Sequence, residues 1–177
     1  MNTVNTPGHT VGPFFGIALP YDGGAQLVPD DHPDAVRLHG RVLDGHGQPV
    51  PDALLELWQA DTAGRVVQRA GSLRRDGATF TGWGRAATDV EGHYSFTTLM
   101  PAAPFFSLSV FARGLTHRLL TRAYLPDAVD DPFLAGVEPD RRQSLVATPD
   151  EQGLAFDIRL QGERETVFLR YRHDWPL

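Results

Sequence analysis

The chain has 177 residues, of which 41% are hydrophobic and 21% charged, a composition typical of a globular protein and not of a disordered one. Its net charge of −6, without a cluster of basic residues, argues against nucleic-acid binding. Because cysteine is absent, neither a disulfide framework nor a thiolate metal site is possible. The N-terminus lacks the features of a signal peptide and no apolar run reaches membrane-spanning length, so we expect a soluble, cytoplasmic protein.

Residues 1–35 are rich in Gly, Pro and Asp and show little periodicity. We therefore predict an irregular N-terminal arm, followed by one β-sandwich over residues 36–177, the two forming a single domain. Phe14 and Phe15 lie inside the arm. Two exposed Phe side chains would be unfavourable, so this part of the arm is expected to pack either on its own domain or on another chain.

The stretch 38–61 predicts two β-strands joined by a turn-rich loop. The side chains of 38–43 alternate with the period of a pleated strand, and 54–59 forms the second strand. Asp, Gly and Pro residues between them favour turns. Glu56 is a charged residue in an otherwise apolar strand and needs a partner if it is buried. The simpler interpretation is an edge strand whose Glu56 face lies in water.

The rest of the chain predicts short strands separated by Gly, Pro and Asp turns, which is typical of an all-β sandwich. The most apolar run, Phe105 to Ala112, is expected to form a central strand paired with Leu119 to Tyr124. Asp131 and Pro132 fit the N-cap and first residue of a short helical turn. Further strands are predicted at 82–87, 93–99, 145–148, 154–160 and 166–171.

The seven histidines do not predict a metal site by their spacing. Two ligands on one face of a strand need i, i+2 spacing, and no His-x-His or His-x-x-x-His pair occurs. His39 and His46 flank a turn and are able to converge, but no third ligand is spaced to complete a site. A phosphate-binding glycine loop and a nucleophile elbow are also missing, so the residues alone indicate no active site.

Three segments nevertheless resemble the signature of the intradiol ring-cleavage dioxygenases. They read GRVLDGHGQPVPDALLELWQAD at 40–61, GRAATDVEGHYSFTTLMP at 84–101 and LAFDIRLQGERETVF at 154–168. The resemblance covers nearly the whole chain and implies a β-sandwich that cleaves catechols with O2 at a non-haem Fe(III). Transthyretin-like β-sandwich domains carry a motif similar to the first segment, so a binding module without enzymatic role remains the alternative.

The resemblance also implies that the iron ligands of the family, two Tyr and two His, are missing from this chain. One Tyr position reads Val66, and the His-x-His pair reads Phe105 and Ser107. The second Tyr is expected between Pro101 and Pro104, where the chain has no Tyr. Val and Phe have no lone pair for a metal and a Ser hydroxyl is a poor iron ligand, so we predict neither a metal site nor catalytic residues here.

A self-sufficient dioxygenase with relocated ligands is a third hypothesis, and it requires stoichiometric iron in the purified chain. The side chains that would have to hold this iron are Tyr21, Tyr94, Tyr124 and Tyr171 together with His39, His46 or His93.

Two-chain members of the family pair an iron-bearing β subunit with a homologous chain that lost the ligands, and the resemblance is to that second chain. It implies an αβ hetero-oligomer in which the partner β subunit binds Fe(III) and the substrates are O2 and a carboxylated catechol. Residues matching Thr10, Gly12, Pro13 and Arg113 line the partner's substrate pocket in that arrangement. From the residues alone, the simpler interpretation of Arg113 is a surface ion pair.

Overall fold

The computed structural model describes residues 10, 12, 15–67, 76, 79–128 and 131–170. The nine strands in this part of the chain are β1 (Ala35–Leu43), β2 (Leu54–Trp58), β3 (Trp83–Ala87), β4 (His93–Leu99), β5 (Phe105–Phe111), β6 (Leu119–Tyr124), β7 (Thr148–Asp150), β8 (Gly153–Ala155) and β9 (Ile158–Arg159). Three short helices are α1 (Phe15–Ala18), α2 (Pro132–Gly136) and α3 (Pro139–Arg142), and a 3-10 turn covers Gln143–Leu145. Among the described residues, no helix is both long and apolar enough to cross a membrane.

The strands form two sheets that pack face to face, which confirms the predicted β-sandwich. One sheet has the order β4-β1-β8-β7, with β9 also paired to β1, and the other has the order β3-β2-β5-β6. All pairs in this second, four-stranded sheet are antiparallel. The predicted pairing of the apolar strand 105–112 with the strand 119–124 is confirmed, and β5 occupies an inner position.

The core lies between the sheets because alternate side chains of each strand point inward. In β2 these are Leu55 and Leu57, and in β5 they are Phe106, Leu108 and Val110, all at most 1% exposed. Burying a side chain of this size contributes about 1.5–3 kcal/mol. The opposite face of the four-stranded sheet, which we call the outer face, carries the residues that alternate with these inward-pointing ones along each strand.

β1 is the strand on which the other sheet is built. It pairs with β4 on one side and, on the other, first with β8 and then with β9. The change from β8 to β9 occurs beside Gly40, where the backbone N–H of Phe156 donates to the carbonyl of His39 at 2.7 Å. A Cβ at position 40 would collide with the carbonyl oxygen of Phe156, so this crossing requires glycine.

Several strand connections use the same Asp-x-x-Gly turn. In the turn after β3, Asp89 accepts backbone N–H groups of Glu91 at 3.0 Å and His93 at 2.8 Å, and Gly92 has φ +76°. Backbone N–H groups bound in this way lower the pKa of the carboxyl group, since they stabilise its ionised form. The carboxyl groups with a pKa lowered chiefly in this way belong to Asp44, Asp61, Asp89 and Asp150.

The N-terminal arm packs on the sandwich of the same chain over the part that is described. Phe15 in α1 is buried, and so is Leu27 further along the arm. The backbone N–H of Leu27 donates to the carbonyl of Thr97 in β4 at 2.8 Å. For Phe15 the structure therefore supports the first of the two packing alternatives, while Phe14 lies outside the described residues.

The predicted helical turn is confirmed at α2. Pro132 is its first residue, and the side chain of Asp131 caps it by accepting from the backbone N–H groups of Phe133 at 2.9 Å and Leu134 at 3.0 Å.

Three sequence predictions about strands were wrong. The predicted strand 145–148 begins as a 3-10 turn, and the predicted strand 154–160 is divided between β8 and β9. The third error is at 166–170, where the described part of the predicted strand 166–171 forms no ladder and makes only isolated hydrogen bonds, including those to β9 at Arg159 and to β6. There the backbone N–H of Leu169 donates to the carbonyl of Leu120 at 2.7 Å.

The edge-strand interpretation of Glu56 was also wrong. β2 lies between β3 and β5, and the cross-strand neighbour of Glu56 is Arg85. The Arg85 Nη2 atom lies 2.7 Å from Glu56 Oε1. The charge of Glu56 is therefore mostly buried, and it has the partner that a buried charge needs.

Candidate functional site

The first candidate site is a charged cluster at the turn that follows β5. Arg113 lies in this turn, and its Nε atom forms an ion pair with the carboxylate of Asp52. The Arg113 side chain remains 59% exposed, whereas that of Asp52 is 24% exposed. Among the described residues, the guanidinium makes no further ion pair or hydrogen bond, so its terminal nitrogens are free to meet another anion.

The N-terminal arm reaches the same turn. The backbone N–H of Gly114 donates to the hydroxyl oxygen of Thr10 at 3.0 Å, across 104 residues of sequence. The structure thus places Thr10 beside Arg113, two residues that only the family resemblance had linked. Gly12 has φ +75° and no heavy atom within 4 Å of a Cβ built on it, while Pro13 lies outside the described residues.

Asp52 is held by a firm turn. The buried hydroxyl of Thr88 donates to the carbonyl of Val50 at 2.7 Å and accepts from the backbone N–H of Ala53 at 2.9 Å. The backbone N–H of Thr88 in turn donates to the carbonyl of Ala53 at 2.9 Å. Both residues beside the Pro51-Asp52 pair are therefore fixed to the strand connection after β3. Sequence reasoning missed Asp52, because no spacing rule relates it to Arg113.

The second candidate site consists of the positions that the family resemblance matches to iron ligands. Val66 is 76% exposed in the loop after β2. Ser107 lies on the outer face of β5, opposite Trp58 of β2 and Arg122 of β6. Phe105 packs on the ring of Tyr124, with centroids 5.3 Å apart, and belongs to a small second hydrophobic cluster.

A cation already occupies the space beside Phe105. The Cζ atom of Arg122 lies 4.0 Å from the centroid of the Phe105 ring and 5.2 Å from that of Phe133. Arg122 also donates to the Tyr124 hydroxyl at 3.0 Å, which donates to Asp131 at 2.7 Å. Burial is the main reason that the pKa of Tyr124 rises to about 12. Sequence reasoning missed this cluster as well.

These residues do not fit a ferric ion. Phe105 and Val66 offer no donor atom, and a metal ion beside Phe105 would be repelled by the Arg122 guanidinium. The relocated-ligand hypothesis gains no support from the tyrosines that are described. The hydroxyl of Tyr94 is buried and donates to the carbonyl of Phe156 at 2.6 Å, and burial raises its pKa well above the usual value, which disfavours a phenolate. Tyr171 lies outside the described residues.

One group of three carboxylate and imidazole ligands does come together in the described part of the chain: Asp89, Glu91 and His93, all exposed. Its geometry is explained by the turn itself, since Asp89 binds the backbone there. The Nε2 atom of His93 lies 2.7 Å from the Nε atom of Arg41, so it accepts a hydrogen bond from a cation. This arrangement is a capped turn and does not indicate a metal site.

The fold is similar to the folds of solved dioxygenases. The dioxygenase domain of a carbohydrate-binding fusion protein from Streptomyces sp. SirexAA-E superposes with a TM-score of 0.55 at 23% identity, covering 89% of this chain and 98% of that domain. Catechol 1,2-dioxygenase from Pseudomonas arvilla C-1 superposes with a TM-score of 0.53 at 22% identity, covering 77% and 55% of the two chains. The β-sandwich is therefore that of the intradiol ring-cleavage dioxygenases.

Sequence comparison defines the family. Residues 10–108 match the protein-family model Dioxygenase. The protocatechuate 3,4-dioxygenase alpha chains of Burkholderia cepacia and Pseudomonas putida are 36% and 35% identical, over 92% and 94% of this chain and 95% and 96% of theirs. The corresponding beta chain of B. cepacia is 34% identical over 74% of this chain and 66% of its own length. This chain belongs to the intradiol dioxygenase family, and within that family it is similar over nearly its full length to protocatechuate 3,4-dioxygenase alpha chains. The family is in general iron-dependent.

Proposed function

We propose that this chain is the non-catalytic α subunit of a protocatechuate 3,4-dioxygenase and works with a homologous, iron-bearing β subunit. The complex would cleave protocatechuate with O2 to 3-carboxy-cis,cis-muconate, a step of aromatic catabolism in the β-ketoadipate pathway. The observation that supports this proposal is the kind of side chain found at the positions matched to iron ligands. A chain that matches the α chains over nearly their full length has Phe105 packed against the half-buried Arg122 cation where an iron ligand is expected.

The role left to this chain is to shape the substrate pocket of its partner. Thr10, Gly12, Pro13 and Arg113 would line that pocket, and the exposed guanidinium of Arg113 would bind the carboxylate of protocatechuate. A charge-assisted hydrogen bond of this kind contributes about 1.5–3 kcal/mol. In support, Arg113 is half exposed and Thr10 lies on the same turn. The Fe(III) of the partner supplies the oxygen chemistry, so this chain orients the substrate.

Purification of the chain alone and with a co-expressed β subunit tests the proposal. We expect the isolated chain to be colourless, iron-free and inactive, because no tyrosinate-to-iron charge transfer is possible, and the complex to contain iron and to consume protocatechuate. Stoichiometric iron in the chain alone would contradict the proposal and revive the relocated-ligand hypothesis. A chain that stays monomeric and does not bind a co-expressed β subunit would instead support a transthyretin-like binding module.

The pocket role of Arg113 is tested in the complex by Arg113→Ala. We expect the KM for protocatechuate to rise roughly ten- to hundredfold, the loss of one charge-assisted contact. Arg118→Ala is the matched control, since Arg118 is exposed in the same β5–β6 connection. An unchanged KM in Arg113→Ala would remove Arg113 from the pocket without affecting the proposed subunit role.

A further inference from the structure

We propose that Asp52 is a positioning residue for the reaction: it holds Arg113 in the orientation that binds the substrate carboxylate. This inference rests on the proposed function, because it needs Arg113 to face a carboxylated substrate in the partner's pocket. No sequence pattern points to Asp52.

The ion pair uses the side of the guanidinium that a substrate does not need. Asp52 contacts Nε, the nitrogen nearest the backbone. The two Nη groups, which make no hydrogen bond among the described residues, remain as the forked end that matches a carboxylate. One carboxylate can therefore fix the stem of Arg113 while a second one binds its tip.

A positioning residue must itself be held in place, and the turn that contains Asp52 is held by hydrogen bonds. Its turn is closed by the buried Thr88, which binds the backbone on both sides of it at 2.7 and 2.9 Å. The arm packs on the turn from the other side, since a Cβ at Gly16 would lie 3.4 Å from the carbonyl oxygen of Asp52. Arg113, in contrast, is a long side chain on an exposed turn and would populate many rotamers without a partner.

The arm and the ion pair hold the same turn from two sides. Thr10 binds the backbone N–H of Gly114, and Asp52 binds the side chain of the residue before it. Gly114 has φ +87°, a backbone conformation that glycine adopts readily and other residues avoid, so the shape of this turn depends on glycine. Backbone and side chain of Arg113 are thus both set before any ligand arrives, which lowers the entropy lost on binding.

The test is Asp52→Asn in the αβ complex, with steady-state kinetics on protocatechuate. We expect the KM to rise about five- to tenfold, because Arg113 must then be ordered by the substrate itself, and kcat to stay within about twofold. Asp127→Asn is the matched control, since it removes one exposed carboxylate that forms no ion pair with any described residue. A merely structural role would lower the active fraction and leave the KM unchanged.

Two further measurements separate this role from general damage. In an Arg113→Ala background, Asp52→Asn should leave the KM unchanged, because Asp52 acts only through Arg113. The inhibition constant of 4-hydroxybenzoate should rise in Asp52→Asn, whereas that of its uncharged amide should not.

The outcomes distinguish the inference from the proposed function. If Arg113→Ala raises the KM but Asp52→Asn leaves it unchanged or lowers it, Asp52 is a bystander or a competitor of the substrate, and only this inference is wrong. Equal effects of Asp52→Asn with and without Arg113 would overturn it as well. If Arg113→Ala itself has no effect, the pocket role on which the inference rests is lost.

Discussion

The ion pair between Glu56 and Arg85 allows a quantitative prediction about stability. It spans β2 and β3 on the outer face, with Arg85 Nη2 and Nε at 2.7 and 3.2 Å from the same carboxylate oxygen of Glu56. The two side chains are only 15% and 17% exposed. Arg85 is held further by its bond to the carbonyl of Leu19 at 3.0 Å and by the Trp83 ring, 5.0 Å from its Cζ atom. Arg85 would therefore stay in place, without its counter-charge, if Glu56 were neutralised.

The magnitude follows from this burial. Removing one partner of a fully buried pair costs about 3–5 kcal/mol, whereas a fully exposed pair contributes about 0–1 kcal/mol. Since about one sixth of each side chain is exposed and Gln retains a hydrogen-bond acceptor, we expect Glu56→Gln to lower the free energy of unfolding by about 2 kcal/mol. The double variant Glu56→Gln/Arg85→Gln should lose less than the sum of the two single variants.

Urea denaturation of the isolated chain, followed by tryptophan fluorescence, measures this change, and Trp83 lies directly beside the pair. Glu151→Gln is the control, because Glu151 is exposed and has no ion pair within the part of the chain that the structure describes. A loss below about 0.5 kcal/mol in Glu56→Gln would show that water screens the pair as at a surface, and would refute the burial argument.

Three further changes test the fold. Gly40→Ala should cost more than about 3 kcal/mol in the same urea assay or prevent folding, because its Cβ meets the backbone of Phe156, whereas Gly136→Ala, with open space around it, should be tolerated. Thr88→Val should cost about 2 kcal/mol, since one buried and one partly buried backbone group lose their partner. The lowered pKa values of the turn carboxyls mean that their contribution to stability is complete above the ordinary Asp pKa of 3.8 and is lost as the pH falls through the lower folded values. The urea midpoint should therefore drop as the pH falls below 3.8, and less steeply in a variant with Asn in these turns; the carboxyls concerned are Asp44, Asp61, Asp89 and Asp150.

The strands that the sequence predicted correctly are those with a strong local pattern. Residues 93–99 alternate strictly, and the structure gives β4 the same bounds. The apolar run from Phe105 and the segment at 119–124 are separated by a short connection, so their pairing is a local event. Turn residues also act locally, which is why the cap at Asp131 was predictable.

The errors occur where distant segments decide the outcome. Glu56 looks like a solvent-facing residue until Arg85, 29 residues later, falls into register with it. The segment 166–170 has the alternation of a strand but meets β6 through isolated bonds, such as that from the Thr121 hydroxyl to the carbonyl of Val167 at 2.9 Å. The pattern of a single strand does not specify whether a neighbour continues the ladder.

The same distinction between local patterns and distant contacts applies to the candidate site around Arg113. Family resemblance predicted pocket roles for Thr10 and Arg113, and in the structure the Thr10 hydroxyl binds the turn that contains Arg113. Their supporting residue Asp52 carries no motif, because its importance comes only from the fold that brings residues 52 and 113 together.

The outer face shows how the chain fills a strand position at which the family resemblance implies an iron ligand. A strand position that would bind a metal needs a new partner when its ligand is lost, because an empty polar pocket is unfavourable. Here the ring of Phe105 packs on Tyr124 and lies under the guanidinium of Arg122, whose charge is balanced by Asp131 at 3.8 Å. A cation and a carboxylate from the protein thus fill the region beside Phe105 with paired charges. Replacing Phe105 with His alone would therefore not create an iron site, since the Arg122 cation would still lie beside it.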